Sequence, residues 1–316
     1  MKYRRMGRTG LKMSQISLGS WITYGGTTTQ ETALVCIRRA FDLGINLFDT
    51  ADCYANGEAE RVLSEAIREL PRDQLIIATK CRSRMWPGPL GEGLSRKHIV
   101  EAVEGSLRRL RTDRIDLYQC HHFDTETPID ETLDAMDVLV RQGKILYVGC
   151  SNFSAVQLAD ANHVARQRKV ARFDCLQPCY NMLERSIEQD LLPECGSSGV
   201  GVIVYCPLAQ GLLSGKYNKG KIPADSRGWH QAAAWSKRLL TADNLNRLKA
   251  LQRFATARKR TMIQIALAWI LRRPEVTSCI IGASRPEQIE ENVKAAGTKL
   301  TGKDLDALER ILNHRA

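Results

Sequence analysis

The chain has 316 residues, 43% of them hydrophobic, and carries 46 basic against 35 acidic side chains, a net charge of +11. That length is ample for a large core, and single α/β barrels commonly reach about 250 residues or more, so two domains are not required. The charge favours anionic ligands in general. Its basic residues, such as Arg108, Arg109 and Arg111, lie in helix-like stretches without interleaved aromatic residues. Platforms for stacking bases are therefore missing, and no nucleic-acid partner is expected.

The longest apolar run, Val200–Ala209, is interrupted by Pro207 and falls short of the roughly 20 residues a spanning helix needs. No membrane insertion is expected. The basic start, Met1–Arg8, is followed by no apolar stretch, unlike a signal peptide. Ten cysteines are scattered without a C-x-x-C pair. This reads as free thiols in a reducing cytoplasm rather than a disulfide framework. Only Cys175 and Cys179 lie close together, with no histidine beside them, so no metal site is expected.

In chain order, residues 1–12 hold Gly7 and Gly10 between polar arms, the pattern of a hairpin. A strand is predicted over 15–20, then a helix over 30–43 with Ala33, Cys36, Ile37, Ala40 and Phe41 on one face. Strands follow at 46–49 and 75–80. The next helix, 95–110, opens on Ser95 as N-cap and carries an apolar stripe from Ile99 to Leu110. Strands at 116–121, 145–151, 175–180 and 201–205 alternate with helices at 129–141, 155–168 and 187–197. A long segment, 207–240, is rich in Gly, Ser and Pro and bears Trp229 and Trp235; loops of that length are usually functional. Helices at 242–258 and 262–271, a strand at 278–281 and a helix at 285–296 complete the pattern.

Eight short strands alternating with helices predict one α/β domain over residues 1–316, a closed (β/α)8 TIM barrel. The N-terminal hairpin would cap its floor, and extra helices would lie near the C-terminus. An open doubly wound sheet usually shows G-x-G-x-x-G after its first strand, whereas here WITYGG (21–26) follows. Residues 211–216 lack the spacing of a phosphate loop.

In such barrels the chemistry gathers at the C-terminal ends of strands. There the sequence offers Asp49 with Tyr54 just beyond it, then Lys80, then His121 and His122. A phenol is a poor acid at neutral pH, its pKa being about 10. A lysine ammonium about 4 Å away would interact with tyrosinate by roughly 4 kcal/mol. That is enough to lower the phenol by up to about three pH units. Asp49 would keep Lys80 charged, Tyr54 would protonate a carbonyl oxygen, and His121 would donate a hydrogen bond to it.

With these residues in view, the chain resembles the aldo-keto reductases over essentially its whole length. GINLFDTADCY (44–54), IIATK (76–80), IDLYQCH (115–121), GCSN (149–152) and GASRPEQ (282–288) carry the likeness. SLGSWITYGG (17–26) and LAQGLLSGKY (208–217) are most similar to the branch of voltage-gated potassium channel β-subunits and their bacterial relatives, which includes tetramers as well as monomers. The resemblance implies NADPH-dependent reduction of a small carbonyl substrate by a tetrad of Asp49, Tyr54, Lys80 and His121. It implies that Ser151, Asn152 and Gln177 grip the nicotinamide carboxamide, beside Ser20, Trp21 and Asp49. Tyr205 would stack on the nicotinamide ring, and Pro207, Leu208, Ala209, Gly211 and Lys216 would wrap the pyrophosphate. Arg227 would lie on the adenine side, and Gly282, Ser284, Arg285, Gln288, Glu291 and Asn292 would hold the adenosine 2'-phosphate and adenine. Ser284 and Arg285 open a helix, where free N–H groups favour an anion. Trp21, Trp86, Tyr54, His121 and His122 would face the substrate.

The alternative is an NADP(H)-binding regulatory subunit that docks on a channel, since one fold can serve both. As the family is generally described, those subunits often carry asparagine where this chain has His121 and arginine where it has Asn152. The departure favours the enzyme reading.

Overall fold

The computed structural model describes residues 1–217 and 240–313. Arg227, Trp229 and Trp235 lie outside the described residues. Two short strands, β1 (Tyr3–Arg5) and β2 (Lys12–Ser14), pair antiparallel as the expected hairpin. Eight strands then close a barrel: β3 (Ile16–Gly19), β4 (Leu47–Asp49), β5 (Ile76–Cys81), β6 (Ile115–Cys120), β7 (Ile145–Ser151), β8 (Cys175–Gln177), β9 (Gly201–Val204) and β10 (Val276–Ile281). All barrel pairings are parallel, and β10 closes onto β3.

Helices form where N-cap side chains stop the backbone N–H groups from going unsatisfied. Thr29 caps α1 (Gln30–Asp42) and Ser95 caps α3 (Arg96–Leu110). Ser154 and Gln157 form a full capping box on α5 (Ala155–Arg168). The helix α2 (Glu58–Ile67) has no such mark; it starts after Gly57, at φ 87°. Its first turns are fixed instead by a buried Glu60, which accepts from Thr79 Oγ1 on β5 and Arg109 Nε on α3, each at 2.6 Å. The other helices are α4 (Ile129–Arg141), α6 (Leu191–Ser198), α7 (Ala242–Ala257), α8 (Met262–Leu271), α9 (Pro286–Val293) and α10 (Gly302–Asn313).

Three expected elements are shorter than their patterns, among them the helix expected over 285–296, which spans Pro286–Val293 before a 3-10 turn at Lys294–Gly297. The strand expected to reach Tyr180 stops at Gln177, because Pro178 has no N–H to offer the ladder; only an isolated bridge, Cys179 to Tyr205, continues it. The helix expected from Ile187 begins at Leu191, after a separate 3-10 turn at Ser186–Glu188.

Strand alternation sorts side chains into two layers. Leu47, Ile76, Ala78, Leu117, Cys175, Ile203 and Ile280 pack together inside the barrel, and Met6 and Met13 from the hairpin plug its floor. The intervening residues Phe48, Ile77, Tyr118 and Leu176 join the larger core under the helices. Gly7 makes this plug fit: at φ +52°, a Cβ there would stand 2.3 Å from the Gly199 carbonyl. The same period of two sends Asp49, Lys80, Gln119 and Gln177 inward, one layer above Leu47, Ala78, Leu117 and Cys175.

Candidate active site

At the C-terminal mouth, register sets neighbours: Lys80 is level with Gln119, and Ser151 with Gln177. Lys80 is fully buried, and its Nζ lies 2.7 Å from Asp49 Oδ2 and 2.7 Å from the Thr50 carbonyl. Its third donor reaches Tyr54 Oη at 3.5 Å. The 3-10 turn Tyr54–Gly57 brings the phenol over from beyond β4. The His121 ring lies edge-on to Tyr54 with centroids 5.6 Å apart, and its backbone N–H is held by the Cys81 carbonyl. The four residues expected to form a tetrad are therefore brought together.

The electrostatics differ from the expectation in one respect. Lys80 does pull on the phenol, but burial acts more strongly, and the Asp49 charge opposes the lysine. The Tyr54 pKa is pushed up to about 12 rather than down. A phenolate buried in this site loses its water before it gains its ammonium. Burial by itself would also lower Lys80, yet Asp49 and Tyr54 outweigh it and raise its pKa, so the ammonium is retained. His121 is driven down to about 2 by burial, with Lys80, His122 and Arg82 adding positive charge nearby. It is a neutral imidazole at ordinary pH. His122 stacks on its outer side with centroids 5.1 Å apart.

A second net joins the tetrad to the expected nicotinamide residues. Gln177 Nε2 donates to Asp49 Oδ1 at 2.8 Å, and Gln119 stands beside them. Ser151 donates to the Gln177 carbonyl, Asn152 Nδ2 to the His121 carbonyl at 3.1 Å, and Tyr205 Oη to Asn152 Oδ1 at 2.8 Å. Asn152 has φ +59°, which turns its side chain into this net. Sequence reasoning missed Gln119, although its inward parity in β6 marks it, and Cys53, whose Sγ lies 3.7 Å from His121 Nδ1.

The residues fit a dinucleotide. Among the described residues, the buried Ser20 hydroxyl and Asn292 carbonyl oxygen have no protein partner, which is costly unless a ligand or water completes them. Beyond β9, Cys206, Ala209 and Gln210 have positive φ, as does Gly211; this tight loop is anchored by buried Leu212 and Leu213 and leads to the exposed Lys216. Pro207 is buried in it and Leu208 half-buried. Arg285 and Ser284 stand exposed at the start of α9, beside exposed Gly282. The Gln288 side chain accepts from the Ser284 N–H, and Glu291 accepts from Thr261. Trp21 is exposed just past β3. Trp86 is not brought to the tetrad: it stacks on His98 of α3, at 4.9 Å, and lines a cavity of about 330 Å³ with Lys97, Glu101 and Arg108.

The profile of the aldo/keto reductase family matches residues 15–313. The chain belongs to that family. Among its relatives, a probable voltage-gated potassium channel subunit beta of Arabidopsis thaliana is 40% identical, covering 100% of this chain and 98% of that protein. The L-glyceraldehyde 3-phosphate reductase of Escherichia coli K12 is 41% identical, covering 93% and 87%. A putative channel subunit beta of Schizosaccharomyces pombe is 40% identical, covering 98% and 93%. The chain is an oxidoreductase of the aldo-keto reductase type. Among the described residues, no helix is long and apolar enough to cross a membrane.

Proposed function

We propose that the protein reduces aldehydes or ketones to alcohols with NADPH, and that Tyr54 is the general acid. The observation that carries this reading is Lys80 Nζ, bridging Asp49 Oδ2 at 2.7 Å and Tyr54 Oη at 3.5 Å. The nicotinamide, when bound, supplies the hydride. Tyr54 Oη holds the proton that the carbonyl oxygen needs. With a pKa of about 12, the phenol is protonated at any working pH. Lys80 acts chiefly at the moment of transfer, when a full ammonium stabilises the negative charge appearing on the phenol oxygen. Asp49 keeps that ammonium charged, and neutral His121 can give one N–H to the same substrate oxygen.

Ser151, Asn152 and Gln177 would hold the carboxamide, Tyr205 the ring, the loop from Pro207 to Lys216 the pyrophosphate, and Arg285 the 2'-phosphate. Consumption of NADPH by purified protein with a panel of aldehydes and ketones tests the proposal. A phosphorylated triose belongs first on that panel, given the reductase among the relatives. Turnover with at least one carbonyl is expected, and none with any would refute the reading.

A second reading, a redox-sensing channel subunit, is favoured by full-length identity to proteins named as channel subunits. The intact tetrad, with His121 in place, supports the enzyme instead.

A further inference from the structure

The turn that carries Tyr54 to Lys80 also carries its neighbour, Cys53, to His121. Cys53 Sγ lies 3.7 Å from His121 Nδ1, a sulfur–nitrogen hydrogen-bond distance. The turn is fixed by Tyr54 N donating to the Ala51 carbonyl and Asn56 N donating to the Cys53 carbonyl, both at 3.2 Å. On the other side, His121 is pinned through its N–H to Cys81 and its carbonyl to Asn152. The thiol therefore meets one ring nitrogen of an imidazole whose backbone cannot shift.

We propose that Cys53 is a positioning residue that fixes the tautomer of His121, its S–H donating to Nδ1 so that the single ring proton sits on Nε2, toward the substrate. The inference rests on the reductase reading, which sets a carbonyl oxygen before Nε2. A neutral imidazole has one N–H and one bare nitrogen, and the partner of one nitrogen decides which is which. His121 is neutral at working pH, being held near about 2 by burial first and then by the positive charges of Lys80, His122 and Arg82. The thiol also stays protonated, since burial raises its pKa. Direction of donation follows from the other nitrogen: a carbonyl oxygen offers only acceptor sites, so Nε2 carries the proton toward it and bare Nδ1 is left to accept from the thiol. Chains of this kind polarise one another, so the Nε2–H becomes a better donor to a developing oxyanion.

The test is nitrogen NMR on protein labelled with 15N-histidine, with His121 assigned by loss of its signals in His121→Asn. In wild type, His121 is expected as the Nε2–H form across neutral pH. Cys53→Ala should turn it into a mixture of tautomers, and Cys53→Ser should restore the Nε2–H form. In steady state, Cys53→Ala should lower kcat for carbonyl reduction about two- to tenfold, the worth of one neutral hydrogen bond, with KM for NADPH little changed. Cys53→Ser should recover the larger part of that loss. An Nδ1–H tautomer in wild type, or a tautomer unmoved in Cys53→Ala, overturns the inference. Absence of turnover in wild type would instead strike the reductase reading and leave the tautomer result standing.

Discussion

Gln177, on β8, gives its side-chain amide to the Asp49 carboxylate on β4 across the barrel mouth, at 2.8 Å. Asp49 thus satisfies two demands at once: the opposite oxygen takes the Lys80 ammonium. Because Lys80 is fully buried, its charge depends on this one carboxylate. Asp49→Asn would leave a buried ammonium without its counter-charge, which costs about 3–5 kcal/mol. Urea unfolding should show a lower midpoint with unchanged slope, as expected for lost stability alone. An unchanged midpoint would mean that water or Tyr54 compensates Lys80.

The pH dependence of reduction should be flat where Tyr54 and His121 govern it. Tyr54 is raised to about 12 by burial, and His121 is lowered to about 2 by burial and nearby positive charge. Neither changes protonation between about pH 5 and 9, since each titrates several units away. A profile of kcat/KM for the carbonyl substrate should vary less than about threefold in that window. An alkaline fall near pH 7–8 that disappears in Tyr54→Phe would contradict the raised phenol.

Much of this site was legible in the sequence for one physical reason, the period of two in buried strands. Once β4 and β5 are placed, Asp49 and Lys80 must point to the barrel axis; register sets Asp49 level with Ala78, and Lys80 follows two residues on, on the same inward face. Ser95 likewise announced α3, because a cap side chain is a local device. The Tyr54 pKa was not legible: the lysine's pull can be guessed from spacing, but desolvation depends on everything packed around the phenol. The contact of Trp86 with His98 was not legible for a similar reason. Its loop folds so tightly that a Cβ on Gly91 would stand 1.9 Å from the Trp86 carbonyl, and that turn sends the indole onto His98. Cys53 and His121 are 68 residues apart, and nothing local joins them.

Asp52 should make stability fall as pH rises. Its side chain is fully buried, and among the described residues no well-aligned hydrogen bond reaches either oxygen, although the Cys53 N–H lies near. Burial, then the Glu60 charge, raises its pKa to about 8. An unfolded aspartate titrates at about 3.9. Between those values the folded chain holds a proton that the unfolded chain has lost, so stability drops with each step of pH and levels off above about 8. Asp52→Asn should raise Tm at pH 8 by about 2 °C or more and have less effect at pH 5. An equal effect at both pH values would show that the carboxyl is ionised throughout.

Arg285 should set the preference for the phosphorylated cofactor. It stands exposed at the start of α9 beside Ser284, where helix N–H groups and a guanidinium act together on an anion. Arg285→Ala should weaken NADPH binding about ten- to a hundredfold and leave NADH binding nearly unchanged. Fluorescence titration with both cofactors measures this. Equal affinities of wild type for the two cofactors would remove the 2'-phosphate from this helix.

On this mechanism Tyr54 gives the proton while neutral His121, and not His122, shares the oxygen. It is tested most directly by single-turnover oxidation of bound NADPH after mixing with aldehyde, followed by absorbance. Wild type should oxidise its cofactor rapidly. Tyr54→Phe should slow the step by about 10²–10⁴-fold or more, and His121→Asn by about 10²–10³-fold, each with NADPH still bound. His122→Asn should change it little, because that ring lies outside the first, stacked at 5.1 Å. Near wild-type rates in Tyr54→Phe, or a large loss confined to His122→Asn, would contradict the account.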